Sequence, residues 1–162
     1  MKLTGAAIKG LITGAVMIAV SLLLFYVIKF PANGRDQFII LTIYVIGIAW
    51  SLLSFKRSAT EDKKFKDYFG AGFRTFIVVT LLMVVYTGLF YKFNTQIREA
   101  GIAENNELLL QQGDHTPAEI AKNAENVRDI FLPMMVGYAI FKYLIIGALV
   151  SVVGAGFLSQ KK

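Results

Sequence analysis

The sequence predicts an all-α, polytopic membrane protein with four transmembrane helices and an external helical hairpin between the third and fourth. Three observations carry this prediction. Of 162 residues, 56% are hydrophobic, more than a soluble domain of this size carries. The charges leave four uncharged runs, residues 10–28, 37–55, 75–91 and 143–160, and a charge at the bilayer centre costs about 2.5 to 3.5 kcal/mol on insertion scales. Each run is 17 to 19 residues long, close to the roughly 20 that cross the hydrocarbon.

The chain therefore reads as a single membrane domain, 1–162, with transmembrane helices near 8–28, 38–56, 72–92 and 135–159. The first run is longer than the roughly 7 to 15 apolar residues of a secretory leader and ends in YVIKFP without a small-x-small cleavage pattern, so it reads as a retained helix. The connection 57–71 follows the second helix. In KRSATEDKKFKDYFG, Ser58 and Glu61 have capping-box spacing and Phe65, Tyr68 and Phe69 share a side, the pattern of a short interfacial helix. After the third helix, segment 94–129 predicts two short helices. One covers about 96–112 and stops at Gly113, and the next starts at Thr116–Glu119, with threonine as cap, proline first and glutamate third. Ile120, Ala124, Val127 and Phe131 recur at helical spacing, giving an apolar face expected to pack against Leu108–Leu110.

Charge orients the helices. The N-terminus, segment 56–74 and the C-terminus carry ten basic residues against three acids, while 29–37 and 92–129 carry six against eight. The positive-inside rule then puts both termini in the cytoplasm. That bias accounts for the net charge of +6 without any nucleic-acid partner. Tyr26, Tyr44, Tyr86, Tyr91, Tyr138 and Tyr143 fall toward the outer helix ends, as an interfacial belt would. The aromatic bulk is accordingly expected in the outer half.

No catalytic constellation can be assembled. There is no cysteine, and the one histidine, His115, precedes a helix cap, so neither a multi-histidine metal site nor a Ser-His pair is indicated. No metal or cofactor is implied. The spans hold no interior acid, and Lys142 is the one charge inside an apolar segment. It either snorkels to the headgroups or is a buried cation paired with a substrate anion or with Asp129. Lys63, Lys64, Lys66, Arg74 and Lys142 are the candidates for contact with anionic lipid or a phosphate-bearing substrate.

Small residues carry the packing signal. Gly10 and Gly14, Gly47 and Ser51, Gly70 and Gly72, and Gly147, Ser151, Gly154 and Ala155 form small-residue rows, the means by which helices in lipid approach closely. Nearly all lie in the cytoplasmic half, so the bundle is expected to cross tightly there and open outward. The motif GAGF occurs twice, at 70–73 and 154–157. A dinucleotide loop would need a preceding strand and a third glycine. The two copies instead read as a close contact between antiparallel helices, with Arg74 as interfacial anchor.

The order of parts resembles a bacterial family of four-helix integral membrane proteins known only as a domain of unknown function. The resemblance rests on the GxxxG-bearing first helix, FGAGFRTF opening the third, HTPAEI in the external segment and IIGALVSVVGAGFLSQKK at the end, and it spans essentially the whole length. It implies an inner-membrane protein without assigned activity. The absent catalytic sets, the small-residue helix faces and the amphipathic external hairpin lead to the expectation of a non-enzymatic function: a subunit, scaffold or accessory factor of a membrane complex. Its partners would be membrane lipids and a protein partner or a second copy of the chain. The alternative is a small transporter or a translocase of lipid- or isoprenyl-linked substrates.

Overall fold

The computed structural model describes residues 5–29, 35–58 and 63–160; Lys2, Glu61, Lys161 and Lys162 lie outside them, and so does the Ser58–Glu61 capping pair. Helix α1 runs Gly5–Leu22 and widens into a π-helical turn, Leu23–Val27, in which the Ile28 N–H donates to the Leu23 carbonyl at 3.0 Å. Then come α2, Arg35–Ser58, α3, Phe65–Phe93, α4, Thr95–Gln112, and α5, Pro117–Ser159. Among the described residues there is no strand, and four helices (α1 with its π turn, α2, α3 and α5) are long and apolar enough to cross a membrane.

Two elements differ from the sequence reading. Among the described residues the connection after α2 holds no separate helix: Phe65, Tyr68 and Phe69 are already the first turns of α3, whose start is capped when Asp67 accepts the Lys64 N–H at 2.9 Å. The segment from Thr116 is not a short helix either. It continues through Pro133 into the last apolar segment as one 43-residue helix. One proline removes a single backbone donor, and with it the bond to the Asp129 carbonyl four residues earlier, while the helix is continuous on both sides.

The described chain falls into two compact units, one of residues up to Met83 together with Ile140 onward, the other Val84–Ala139. In the first unit the helix registers follow from missing side chains. A β-carbon on Gly10 would lie 2.7 Å from the Thr75 carbonyl oxygen, and one on Gly14 2.6 Å from Leu82 Cδ1, so α1 and α3 run parallel. At Gly47 it would meet Thr13, which with the Lys9 ammonium 5.8 Å from the Trp50 ring sets α1 against α2 antiparallel. At Gly147 it would meet the Tyr44 hydroxyl and lie 2.7 Å from Phe76 Cβ. At Gly72 it would lie 2.6 Å from Ser151 Oγ. These pairs make α3 and α5 antiparallel.

At the glycines of the two GAGF copies, the nearest neighbours come from outside the other copy. Gly72 meets Ser151 of α5, whereas Gly154 meets Leu52 of α2, whose two methyl carbons sit 3.4 and 2.5 Å from where β-carbons on Gly72 and Gly154 would be. Gly70 makes no helix contact: a β-carbon there meets nothing within 4 Å. Ala155 is fully buried.

The second unit holds the end of α3, α4 and the first part of α5. Asn94, 5% exposed, makes the corner between α3 and α4, its side-chain amide donating to the Phe90 carbonyl at 2.8 Å. Gly113 closes α4 with φ 74°, the left-handed conformation glycine tolerates. Thr116 and Glu119 then bond reciprocally: the Thr116 N–H donates to Glu119 Oε2 at 2.8 Å and the Glu119 N–H to Thr116 Oγ1 at 3.3 Å. Ile102, Ile120 and Ala124 are buried, while Leu108 and Leu110 point outward at 53% and 60% exposure. Of the three leucines expected to cover the α5 face, Leu108 and Leu110 turn away, while Leu109, seven residues after Ile102 and on its side of α4, is half-buried.

Glycines with a neighbour in the missing position separate from those without one. Gly10→Ala and Gly147→Ala should each lower stability by about 1 to 3 kcal/mol. Gly70→Ala and Gly156→Ala, where a methyl meets nothing, should raise it by up to about 1 kcal/mol. Reversible unfolding in mixed micelles reads the difference.

Candidate functional site

Inside the first unit, polar groups of the apolar segments are brought onto one another. Thr75 is fully buried. Its hydroxyl lies 2.6 Å from Ser51 Oγ and 3.1 Å from both the Ala6 and Ala71 carbonyl oxygens. One hydroxyl has one proton, so the full set is served when Ser51 donates to Thr75 and Thr75 donates to a carbonyl. Residues of α1, α2 and α3 thereby meet at one oxygen. A second link joins α2 to α5, where the Tyr44 hydroxyl donates to the Tyr143 carbonyl at 2.8 Å and the two rings meet edge to face at 5.4 Å. Tyr44 and Tyr143 are thus core residues, not members of an interfacial belt. Tyr26 and Tyr138, each 54% exposed, are placed as belt residues would be. Gly147 has the role of leaving space for the Tyr44 hydroxyl.

Ser151 differs from these. It is fully buried against Gly72, and its hydroxyl has no hydrogen-bond partner.

The end of the first unit where α2 finishes and α3 begins carries an open cleft of about 450 Å³. It is lined by Phe55 of α2 and by Lys66, Asp67, Phe69, Gly70, Phe73 and Arg74 of α3. Helical spacing builds it: positions 66, 70 and 74 fall on one row, and 65, 69 and 73 on the next. The second row is aromatic, with Phe65 and Phe69 stacked at 6.0 Å and Phe69 and Phe73 at 6.1 Å. Phe55 packs edge to face on buried Tyr68 at 5.6 Å. Five phenylalanines, 55, 65, 69, 73 and 76, thus cluster here, in addition to the aromatic residues that the sequence gathers toward the other end of the helices.

Of the five cations singled out from the sequence, the cleft joins Lys66 and Arg74 only. Lys63 and Lys64 precede α3 outside the lining. Lys142 is elsewhere: half-buried, with its ammonium 4.9 Å from the Tyr143 ring, it feels the charge of Asp36 at the start of α2. Asp36 and Phe55 are separated by about 28 Å along that helix, so Lys142 and Arg74 do not share a site. The sequence did not single out Thr75, Leu52 and Phe55, and it placed Tyr44 in the belt. Thr75 had a signal: Ala71, Thr75 and Val79 form a four-residue row beside the glycines.

In the second unit the charged feature is an ion pair. Arg128 donates from Nη2 to Glu99 Oε2 at 2.7 Å and from Nε to both carboxylate oxygens at 3.2 Å, and Arg98 Nε adds a bond of 2.9 Å. The Arg128 hydrogen bonds, with help from Arg98, hold the Glu99 carboxyl down from 4.5 to about 2.

Apolar helices closed by small-residue contacts and internally bonded hydroxyls define a multi-pass helical membrane protein. Within that class, the chain matches the family DUF4199, described as a protein of unknown function, over residues 9–160, and it belongs to that family. No curated protein and no solved structure matches it.

Two outcomes test the site. Thr75→Val, which leaves Ser51 without its partner, should cost about 1 to 2 kcal/mol, whereas Ser151→Ala should be neutral or stabilising in the same micelle unfolding assay. The Glu99 carboxyl titrates below its unfolded value, so its stabilisation is complete above about pH 4.5 and is lost as pH falls toward 2. The pair is open to solvent, with side chains 43% and 46% exposed, so the loss should be small and shrink with salt. Thermal melts of the wild type between pH 5 and 2 should show an acid-side decline that Glu99→Gln flattens.

Proposed function

We propose that this chain is a non-enzymatic subunit, scaffold or accessory factor that holds another membrane protein. The observation that supports this reading is the end of α4. Leu108 and Leu110 are more than half exposed on either side of half-buried Leu109, in a stretch with ENNE before it and QQ after. Two large apolar side chains kept in that setting suit a protein contact better than solvent. Residues within the apolar segments fit the same role, because Ser51, Thr75 and Tyr44 spend their hydroxyls on neighbouring helices. In this reading the chain sits in a bacterial inner membrane with both termini cytoplasmic, as the positive-inside bias indicates. Segment 94–129 is then external, and α4 faces a partner outside the membrane.

The wild-type chain, purified from its own membrane in mild detergent, should bring a stoichiometric membrane protein with it. Leu108→Lys with Leu110→Lys should abolish that association while helicity and melting temperature stay unchanged. Recovery of the wild type as a lone species, or a partner retained by the double variant, would remove the basis for this function.

A further inference from the structure

We infer that the cleft between the end of α2 and the start of α3 is a binding site for one anionic phospholipid, its phosphate held between Lys66 and Arg74 and an acyl chain laid along Phe69 and Phe73. This is independent of the α4 contact proposed above.

The geometry begins with Gly70. Lys66, Gly70 and Arg74 follow one another at four-residue intervals, so the two long basic side chains leave the backbone of α3 about 12 Å apart with a residue lacking a side chain between them. Gly70 is not there for packing, since a β-carbon at that position would meet nothing within 4 Å. What its hydrogen leaves is the depth of the cleft. Both cations are exposed and neither has a carboxylate partner among the described residues. Asp67 also lines the cleft, but its carboxylate already accepts the Lys64 N–H. Among the described residues, one acid against two bases leaves the lining net positive.

Position along the chain selects a lipid over a soluble anion. Arg74 is the last charge before the uncharged run 75–91, so the cleft sits where charged chain gives way to lipid-facing helix. That is the headgroup level, where basic side chains meet phosphate. The aromatic wall has no use for a free ion: Phe73, the lining ring nearest the uncharged run, is 45% exposed and continues the cleft in the apolar direction.

The test uses the full chain, delipidated in detergent and then given phosphatidylglycerol or phosphatidylcholine, with bound lipid read by native mass spectrometry. Phosphatidylglycerol should be retained about tenfold or more tightly than phosphatidylcholine. Lys66→Gln with Arg74→Gln should remove the preference. Gly70→Leu should block binding of either lipid without loss of stability, because the added side chain enters the cleft and not a helix contact. Gly156→Leu, at another glycine with open space above it, should bind as wild type. Wild-type retention of phosphatidylglycerol by Gly70→Leu, or equal retention of the two lipids by the unaltered chain, overturns the site. Displacement of the lipid by millimolar inorganic phosphate would show that the ligand is the free anion, and overturns the lipid assignment.

Discussion

The first unit depends on close approach without side chains. Helices in lipid gain little by burying apolar surface against each other, because the tails are as apolar as leucine. What remains is van der Waals contact at short range and hydrogen bonds that water does not contest. Both are available here because glycine stands where α1, α2, α3 and α5 meet. Gly10 lets the Thr75 carbonyl come near, Gly47 receives Thr13, Gly72 receives Ser151, and Gly147 receives Tyr44 and Phe76. The approach at Gly10 is also what lets the Thr75 hydroxyl reach the Ala6 carbonyl. An interhelical hydrogen bond in a membrane is worth about 0.6 kcal/mol, at most roughly 1.7. The contacts that the missing β-carbons permit must therefore carry more than the bonds do. Ser151 agrees: its hydroxyl bonds to nothing, yet its small volume fits the gap at Gly72.

Leu52 shows how this packing ties three helices at once. It is 2% exposed, and its two methyls enter the spaces left by Gly72 on α3 and Gly154 on α5. A side chain branched at Cγ is suited to this, since one stem serves two neighbours. One glycine of each GAGF copy thus leaves a socket for the same leucine.

Much of this was legible before any coordinates. Charge spacing located the four apolar helices, because the cost of a charge in hydrocarbon is large against anything else in a short segment. Gly113 and the Thr116–Glu119 box located the α4–α5 turn, because capping chemistry is local. Less legible was anything decided by direction around a helix. Tyr44 and Tyr143 sit near helix ends in sequence, and a tyrosine there can equally float at the headgroups or turn inward; a hydroxyl with a carbonyl in reach, and Gly147 making room, decided it. Leu108 and Leu110 lie in an apolar triplet, and only the rotation of α4 shows that Ile102 is the residue turned inward. The cleft was invisible for the same reason, as Phe55 enters it from another helix.

Gly70 and Gly72 bring the two kinds of legibility together. Two residues on an α-helix are separated by about 200° of rotation, so the glycines of one GAG face nearly opposite ways. Gly72 faces α5 and α2 and is part of the packing. Gly70 faces the outside, on the row of Lys66 and Arg74. The residues that follow repeat the division, with the Arg74 guanidinium at the cleft and the Thr75 hydroxyl in the core. A stretch of six residues therefore joins the most buried contact of the first unit to its most charged surface. Any force on Arg74 from a bound phosphate acts one residue away from the oxygen where α1, α2 and α3 are held together.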